Sequence, residues 1–178
     1  MRRIMLTATV IAACVQATMA QQPATETTAA VPENGSHYEQ LKALEWLVGE
    51  WVDEGEESTI ATKCGWTKNR NFLLRTFKVV TADDRELEGT QVIGWDPDAK
   101  RIRSWMFDSE GGFGEGHWTQ KENRWIIKVS QTLKDGVRAS AINVLTYVDD
   151  NTITWQSTGR EIDGELQPDV PEITVVRK

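Results

Sequence analysis

Four segments of the chain place polar side chains among large apolar ones at every second position. The four sets are Leu73, Arg75 and Phe77; Gln91, Ile93 and Trp95; Arg103, Trp105 and Phe107; and Phe113, Glu115 and His117. Because successive side chains of a β-strand point to opposite faces, the members of one set share a face. If the four faces point inward on neighbouring strands, their polar groups meet in a cavity with aromatic walls.

Such a cavity predicts the binding of a small molecule. Guanidinium groups bind a carboxylate or phosphate head, while aromatic rings bind an apolar body. The predicted ligand-binding residues are Arg75, Gln91, Trp95, Arg103, Trp105, Glu115 and His117. The same pattern also allows Arg75 and Arg103 to face solvent, with Glu115 as a surface partner and only the aromatic rings inside.

Catalytic chemistry finds little support in the residue pattern. The sequence has no Gly-x-Ser-x-Gly motif, and Cys64 shares its predicted strand face with Trp66 and other uncharged residues, which indicates a buried, inert thiol. A dyad of Cys64 and His117 needs both side chains in one cavity. An enzyme that uses Glu115 and His117 as acid and base is the other alternative, and it requires this pair at a cavity. No catalytic residue is predicted, and a binding protein is favoured over an enzyme.

Metal and nucleotide sites lack their typical spacing. No arrangement of His and Cys matches a zinc motif, and residues 108–110 lack the calcium-loop pattern. Gly112, Gly114 and Gly116 lead into a strand, whereas a phosphate-binding loop opens a helix. Alternating glycines keep one strand face bare, so that a neighbouring ring packs on the backbone or the strand bends. No metal and no cofactor is predicted.

The elements that carry these residues are predicted to be one short helix and about ten strands. Apolar residues recur at three- and four-residue steps over residues 37–48, which predicts an amphipathic helix. Alternating segments bounded by turn residues predict strands at 50–54, 58–66, 71–81, 86–95, 100–108, 112–120, 123–133, 136–148, 151–162 and 171–177. Short turns without helical crossovers favour an all-β, antiparallel up-and-down barrel, with a two-sheet sandwich as the alternative.

The N-terminal residues predict an export signal. Two arginines precede an apolar run from Ile4 to Val15, which is too short to span a bilayer, and a small-residue cleavage site ends at Ala20. We therefore expect a signal peptide over residues 1–20, a disordered tether over 21–36 and a single barrel domain over 37–178. The protein is expected to be periplasmic or secreted, with no transmembrane segment after signal removal. Cys14 lies in a sequence that resembles a lipobox, so an outer-membrane lipoprotein anchored through Cys14 is the alternative.

Charge and cysteine content limit the partners. The formal net charge is −7, and loss of the two signal arginines makes it more negative. Nucleic acids and anionic lipid surfaces need a basic patch, so both are disfavoured. Cleavage at Ala20 leaves Cys64 as the only cysteine, which excludes an internal disulfide. We expect a small apolar or amphipathic molecule as partner, with an envelope protein as a further candidate.

Several motifs resemble one bacterial family. Gly49-Glu50-Trp51 resembles the Gly-x-Trp signature of lipocalins and related calycin barrels. With the motifs at 93–97, 104–109 and 111–116 and with Trp118, it resembles a lipocalin-like domain of unknown function, often found C-terminal to SnoaL-like or ketosteroid-isomerase-like modules in exported proteins. The resemblance covers residues 41–178 and implies a calycin-like barrel. It implies no catalytic residue, because isomerase chemistry belongs to the other module.

Haem-binding barrels of the calycin group also begin with a helix and a Gly-x-Trp segment. This comparison implies an axial histidine close to the C-terminal strand, where residues 173–178 contain none. His117 is then the one candidate ligand within the predicted barrel, and a lone histidine is usually structural. Haem is therefore not predicted.

The sequence as a whole predicts an exported, non-enzymatic β-barrel. Its ligand is expected to be a small, mainly apolar molecule with an anionic head group where guanidiniums line the cavity. The main alternative is a structural or protein-interaction module of the cell envelope. That alternative expects a barrel filled by its own side chains and tryptophans exposed on the outside.

Overall fold

The structure is a computed structural model that describes residues 35–54, 58–81 and 83–178. The predicted signal peptide, with Cys14, and the predicted tether up to residue 34 lie outside the described residues, so they stay predictions. Near the start of the described residues, the Ser36 hydroxyl lies 3.5 Å from the carbonyl oxygen of Arg70, in the turn between the second and third strands.

Ten antiparallel strands form one closed barrel, as the alternating segments predicted. Each strand pairs with the next along the chain from the first to the ninth, and the last strand lies between the ninth and the first. A two-residue strand extends the ninth as a short hairpin. The strands are β1 Gly49–Glu54, β2 Ser58–Trp66, β3 Phe72–Thr81, β4 Glu86–Asp96, β5 Arg101–Asp108, β6 Phe113–Lys121, β7 Arg124–Thr132, β8 Arg138–Asp149, β9 Thr152–Ile162, β10 Glu165–Leu166 and β11 Val170–Arg177.

The short helix predicted over residues 37–48 is confirmed, and most of it is of the 3₁₀ type. Helix α1 covers only Tyr38–Leu41, and the chain continues as a 3₁₀ helix over Lys42–Leu47. Leu41, Leu44 and Leu47 are spaced by three residues and are all buried. Side chains three apart lie on one line in a 3₁₀ helix, so this spacing suits the tighter form. Within the described residues, no helix has the length and apolar character needed to cross a membrane.

The hydrophobic core fills the end of the barrel that these helices cover. The three helical leucines belong to one buried cluster with strand residues from around the barrel wall. Trp51, Trp118 and Trp125 supply its largest rings, with 3%, 4% and 4% of their surface exposed. Trp66, Trp95 and Trp155 are partly buried against the same cluster. Most of the tryptophans therefore act as core at one end.

Arg177 of the last strand joins this helical segment to the first strand. Its guanidinium donates hydrogen bonds to the carbonyl oxygens of Val48 at 2.6 Å and Trp46 at 3.2 Å, and its Nε to that of Asp150 at 2.7 Å. The same group lies 4.2 Å from the centre of the Trp51 ring. These contacts form the Arg177 clasp.

The clasp explains why glycine precedes Trp51 by two positions. Gly49 has a φ of +128°, which side chains rarely tolerate, and a Cβ there would collide with the Arg177 guanidinium. The Trp51 ring in turn donates its N–H to the carbonyl oxygen of Leu47 at 3.0 Å. The Gly-x-Trp segment is therefore required by close packing at the closed end.

Replacing Arg177 tests how much this clasp stabilises the barrel. Arg177→Met should lower the free energy of unfolding by about 2 to 4 kcal/mol, because several backbone carbonyls lose a charged donor. Urea unfolding at constant m-value measures the change. Arg124→Met is the matched control, since Arg124 is exposed, and it should change stability by less than about 0.5 kcal/mol. Equal losses in the two variants would contradict a stabilising role of the clasp.

Candidate functional site

A cavity of about 780 Å³ occupies the other end of the barrel, away from the helices. This volume lies within the usual range of small-molecule sites, roughly 300 to 1,000 Å³. Its apolar wall residues are Ile60, Phe77, Val79, Leu87, Met106, Val129, Leu133, Ala139, Ala141, Trp155, Ile162, Val170, Pro171 and Ile173. Polar groups add Gln131, Asn143 and Ser157 on the walls and several charged residues around the mouth.

Small inward residues create the space at this end. Ala139 and Ala141 lie on β8 opposite Gln131 and Val129 of β7. On β6, Gly114 presents bare backbone, and a Cβ there would lie 2.6 Å from a side-chain carbon of Gln131. The space beside Gly114 is therefore taken by Gln131. Large rings fill the closed end, whereas Ala139 and Ala141 leave room at the open end.

Three of the seven predicted ligand-binding residues face the barrel interior. Arg75 lies between Cys64 of β2 and Gln91 of β4 in the strand register. Continuing along the same register, Gln91 lies opposite Met106, which lines the cavity. Trp95 faces inward on β4 as well, but it packs against the core cluster of the closed end.

The other four residues face outward, so the expected convergence of all seven in one cavity is wrong. Arg103 and Trp105 alternate with inward Ser104 on β5, and Glu115 and His117 alternate with inward Gly116 on β6. Ser104 is 1% exposed, and a Cβ at Gly116 would lie 2.7 Å from the Ser104 hydroxyl. The bare glycine face is therefore the inner face. This confirms that the glycines keep one face free, although Ser104 and aliphatic side chains, and no tryptophan, fill the space beside Gly116.

A usable signal for this orientation was present in the sequence. Trp118 shares the face of Gly114 and Gly116, and it is 4% exposed. A large ring next to glycines at two-residue spacing marks a buried face, so Glu115 and His117 must lie on the opposite one.

The outward residues form a paired surface cluster. Arg103 donates to Asp96 at 2.8 Å and to Glu115 at 2.6 Å, and its guanidinium lies 5.5 Å from the centre of the Trp105 ring. The hydrogen bond from Arg103 holds the pKa of Asp96 below its usual value. The pairing of Arg103 with Glu115 is the one expected if Arg103 faced outward. Asp96 was not predicted, although it directly precedes the turn between β4 and β5.

His117 lies on this outer face with 39% of its side chain exposed, and its Nε2 is 3.8 Å from a Glu115 carboxylate oxygen. Neither side chain lines the barrel cavity. The acid–base hypothesis and the haem hypothesis both require His117 at an interior site, so the structure removes their geometric basis. The same placement separates His117 from inward Cys64.

A small polar network crosses the interior between the core and the cavity. The Ser104 hydroxyl accepts hydrogen bonds from the Gln91 amide at 3.2 Å and from the Trp118 ring N–H at 3.0 Å. Sequence reasoning missed Ser104, but its alternation with Ile102 and Met106 places it on an otherwise apolar face. The network orients the Gln91 side chain beside Arg75.

Arg75 itself has no such partner. Among the described residues, no hydrogen bond or ion pair reaches its guanidinium, and burial lowers its pKa from the ordinary arginine value. The side chain is nevertheless partly accessible. Arg75 faces inward one position beyond cavity-lining Phe77, although its own side chain is not among those that line the cavity.

Cys64 is buried, as its strand position predicted. It is 5% exposed, and burial raises its pKa to about 11, against a smaller opposing effect of Arg75. A thiol with such a pKa is neutral at ordinary pH. Across the described ranges, no group of His, Cys, Asp and Glu is arranged to hold a metal ion.

A second concave area of about 630 Å³ lies on the outer face of β1 to β5. The charged side chains that line it are largely paired, with Lys63 2.9 Å from Glu50 and Lys78 3.4 Å from Glu88. A site whose charges already neutralise one another offers less to a ligand than the barrel cavity does.

No protein-family model matches this chain, and no curated protein matches it. The closed antiparallel barrel is compatible with a lipocalin-like fold. Membership of the exported family of unknown function therefore stays a prediction from its motifs.

The reactivity of the Cys64 thiol tests whether this part of the barrel interior is closed to solvent. At pH 8, a thiol with a pKa of about 11 is ionised to only about one part in a thousand. Alkylation of Cys64 by iodoacetamide, followed by peptide mass spectrometry, should be at least about 100-fold slower in the folded protein than in concentrated urea. Rapid labelling of the folded protein would show an accessible, activated thiol and would restore the nucleophile hypothesis.

Proposed function

We propose that this protein is an exported, non-enzymatic barrel that binds a small, mainly apolar molecule with an anionic end. The observation that carries the proposal is the open cavity of about 780 Å³ with largely apolar walls. Binding sites for small molecules combine such walls with a few polar groups that orient the ligand. Asn143, Gln131 and Ser157 supply polar groups within the walls. Arg75 lies one inward position beyond cavity-lining Phe77 on β3 and carries a positive charge.

The cavity walls favour an apolar ligand body. Phe77, Met106 and Trp155 come from different parts of the barrel wall and line the same space. Burial of apolar ligand surface against such side chains contributes about 25 cal/mol for each Å² removed from water. A flexible chain or a planar apolar ring system would gain most from this arrangement.

An interaction module is the second candidate, because apolar residues also lie on the outer face. Phe107 and Phe113 are cross-strand neighbours with 56% and 52% of their surface exposed. Leu74 is 43% exposed on the same face. This alternative was expected to have a filled barrel and exposed tryptophans. The open cavity does not match the expected filled barrel. On the outer face, phenylalanine and not tryptophan is the most exposed aromatic residue.

Filling the cavity should separate these candidates. Ala141→Phe introduces a ring at an inward position beside the cavity, so it should weaken binding of a fluorescent fatty-acid analogue by at least about tenfold. Fluorescence titration measures the affinity. Ala61→Phe is the matched control, because Ala61 lies on the outer face of β2 beside the outer concave area, and it should leave the affinity unchanged.

Two results would contradict the proposal. Loss of binding in Ala61→Phe alone would place the ligand on the outside of the barrel. Absence of binding in the unmodified protein, for fatty acids, quinones and other apolar probes alike, would favour the interaction module.

A further inference from the structure

Arg75 is the one described arginine whose inward position leaves its charge without a partner. Arg103 is paired with two carboxylates, and Arg177 donates to three carbonyl oxygens. Arg75 lies instead between the neutral side chains of Cys64 and Gln91 on the adjacent strands. Nothing in the described fold compensates this charge.

An arginine cannot escape the cost of burial by losing its proton. Its guanidinium stays charged in proteins, unlike a buried lysine, which can become neutral. A buried charge without a partner is strongly destabilising. A charged side chain that is costly to bury and has no hydrogen bond or ion pair among the described residues indicates a functional group that binds an anion.

The position of Arg75 relative to the cavity suits an anion attached to an apolar body. On its own strand, the next inward residue towards the open end is Phe77, which lines the cavity, and the next towards the closed end is fully buried Leu73. Arg75 therefore lies at the boundary between the cavity and the filled core. A ligand that enters through the mouth reaches Arg75 with its leading end.

The mouth itself carries mostly negative charge. Its acidic residues are Asp53, Asp108, Glu110 and Glu161, and Arg160 is the one basic residue among those that line the cavity. An anionic end is repelled by the acidic residues of this rim, where Arg160 donates to the carbonyl oxygen of Pro168, and it is attracted by the inward guanidinium of Arg75. The charge distribution therefore orients an amphipathic acid with its head group inward.

We propose that the ligand is an amphipathic monocarboxylic acid whose carboxylate pairs with Arg75 while its apolar chain fills the cavity towards the mouth. This inference rests on the proposed function and names its ligand class. A carboxylate matches the two-pronged geometry of a guanidinium. A single positive charge among neutral neighbours balances one negative charge, so a phosphate dianion would leave excess charge in the interior.

The test compares an acid with an uncharged analogue of the same chain. The delipidated protein is titrated calorimetrically with lauric acid and with dodecanol, in the unmodified form and as Arg75→Met, Arg75→Lys and Arg101→Met. Arg75→Met should weaken lauric acid binding by about 10- to 100-fold, because a charge-assisted hydrogen bond is lost. Dodecanol binding should stay within about twofold. The affinity of Arg75→Lys for lauric acid should lie between the affinities of the unmodified protein and of Arg75→Met, since lysine keeps the charge without the paired geometry.

Arg101 provides the control because it is an exposed arginine on the outer face of β5, so Arg101→Met should bind both compounds normally. The melting temperature of the ligand-free protein gives a second measurement that does not depend on binding. Arg75→Met should raise it, because removal of an unpaired buried charge stabilises the fold. A lower melting temperature in Arg75→Met would indicate a structural role and would overturn the inference.

The outcomes distinguish this inference from the proposed function. If the unmodified protein and Arg75→Met bind lauric acid equally well, the role of Arg75 is refuted while apolar binding stands. Tighter binding of dodecyl phosphate than of lauric acid would refute the monocarboxylate class. If neither lauric acid nor dodecanol binds the unmodified protein, both the proposed function and this inference fail.

Discussion

The Arg177 clasp determines how the barrel closes. Arg177 lies on the last strand, yet its hydrogen bonds reach the carbonyl oxygens of Trp46 and Val48 at the end of the helical segment. One guanidinium therefore holds the helices, the first strand and the last strand together. Because the clasp and the Trp51 ring fill one end, the hydrophobic core concentrates there. The cavity at the opposite end is what remains when the large side chains have been placed.

Three arginines of the barrel differ in how their positive charge is compensated. At the closed end, Arg177 is satisfied by backbone carbonyls that the helix would otherwise leave unpaired. On the outer face, Arg103 is satisfied by two carboxylates. Arg75 has neither arrangement, although it faces the barrel interior. The fold thus tolerates one inward guanidinium without a partner among the described residues, next to cavity-lining Phe77. Proteins retain local costs of this kind at functional sites.

Strand positions were predictable from sequence, whereas the inward face of β5 was not. The strand predicted at 100–108 is observed as Arg101–Asp108, because alternation and turn residues are local signals. Its two faces are less distinct, since outward Trp105 and Phe107 are larger than inward Ser104 and Met106. Only pairing with Gly116 and burial of Trp118 decide which face is inside, and pairing depends on distant parts of the chain. Because the inward face of β5 could not be assigned from the sequence, the predicted site combined Arg75, which lies inside the barrel, with Arg103, which lies outside.

The orientation of a bound fatty acid is tested most directly by the position of a heavy-atom label on its chain. A crystal of the protein with a fatty acid brominated at its terminal methyl carbon would locate the bromine by anomalous diffraction. Binding with the head group inward predicts a bromine peak near Leu87 and Leu133, at the mouth side of the cavity, with the carboxylate at Arg75. A bromine beside Arg75, or a peak in the outer concave area, would contradict it.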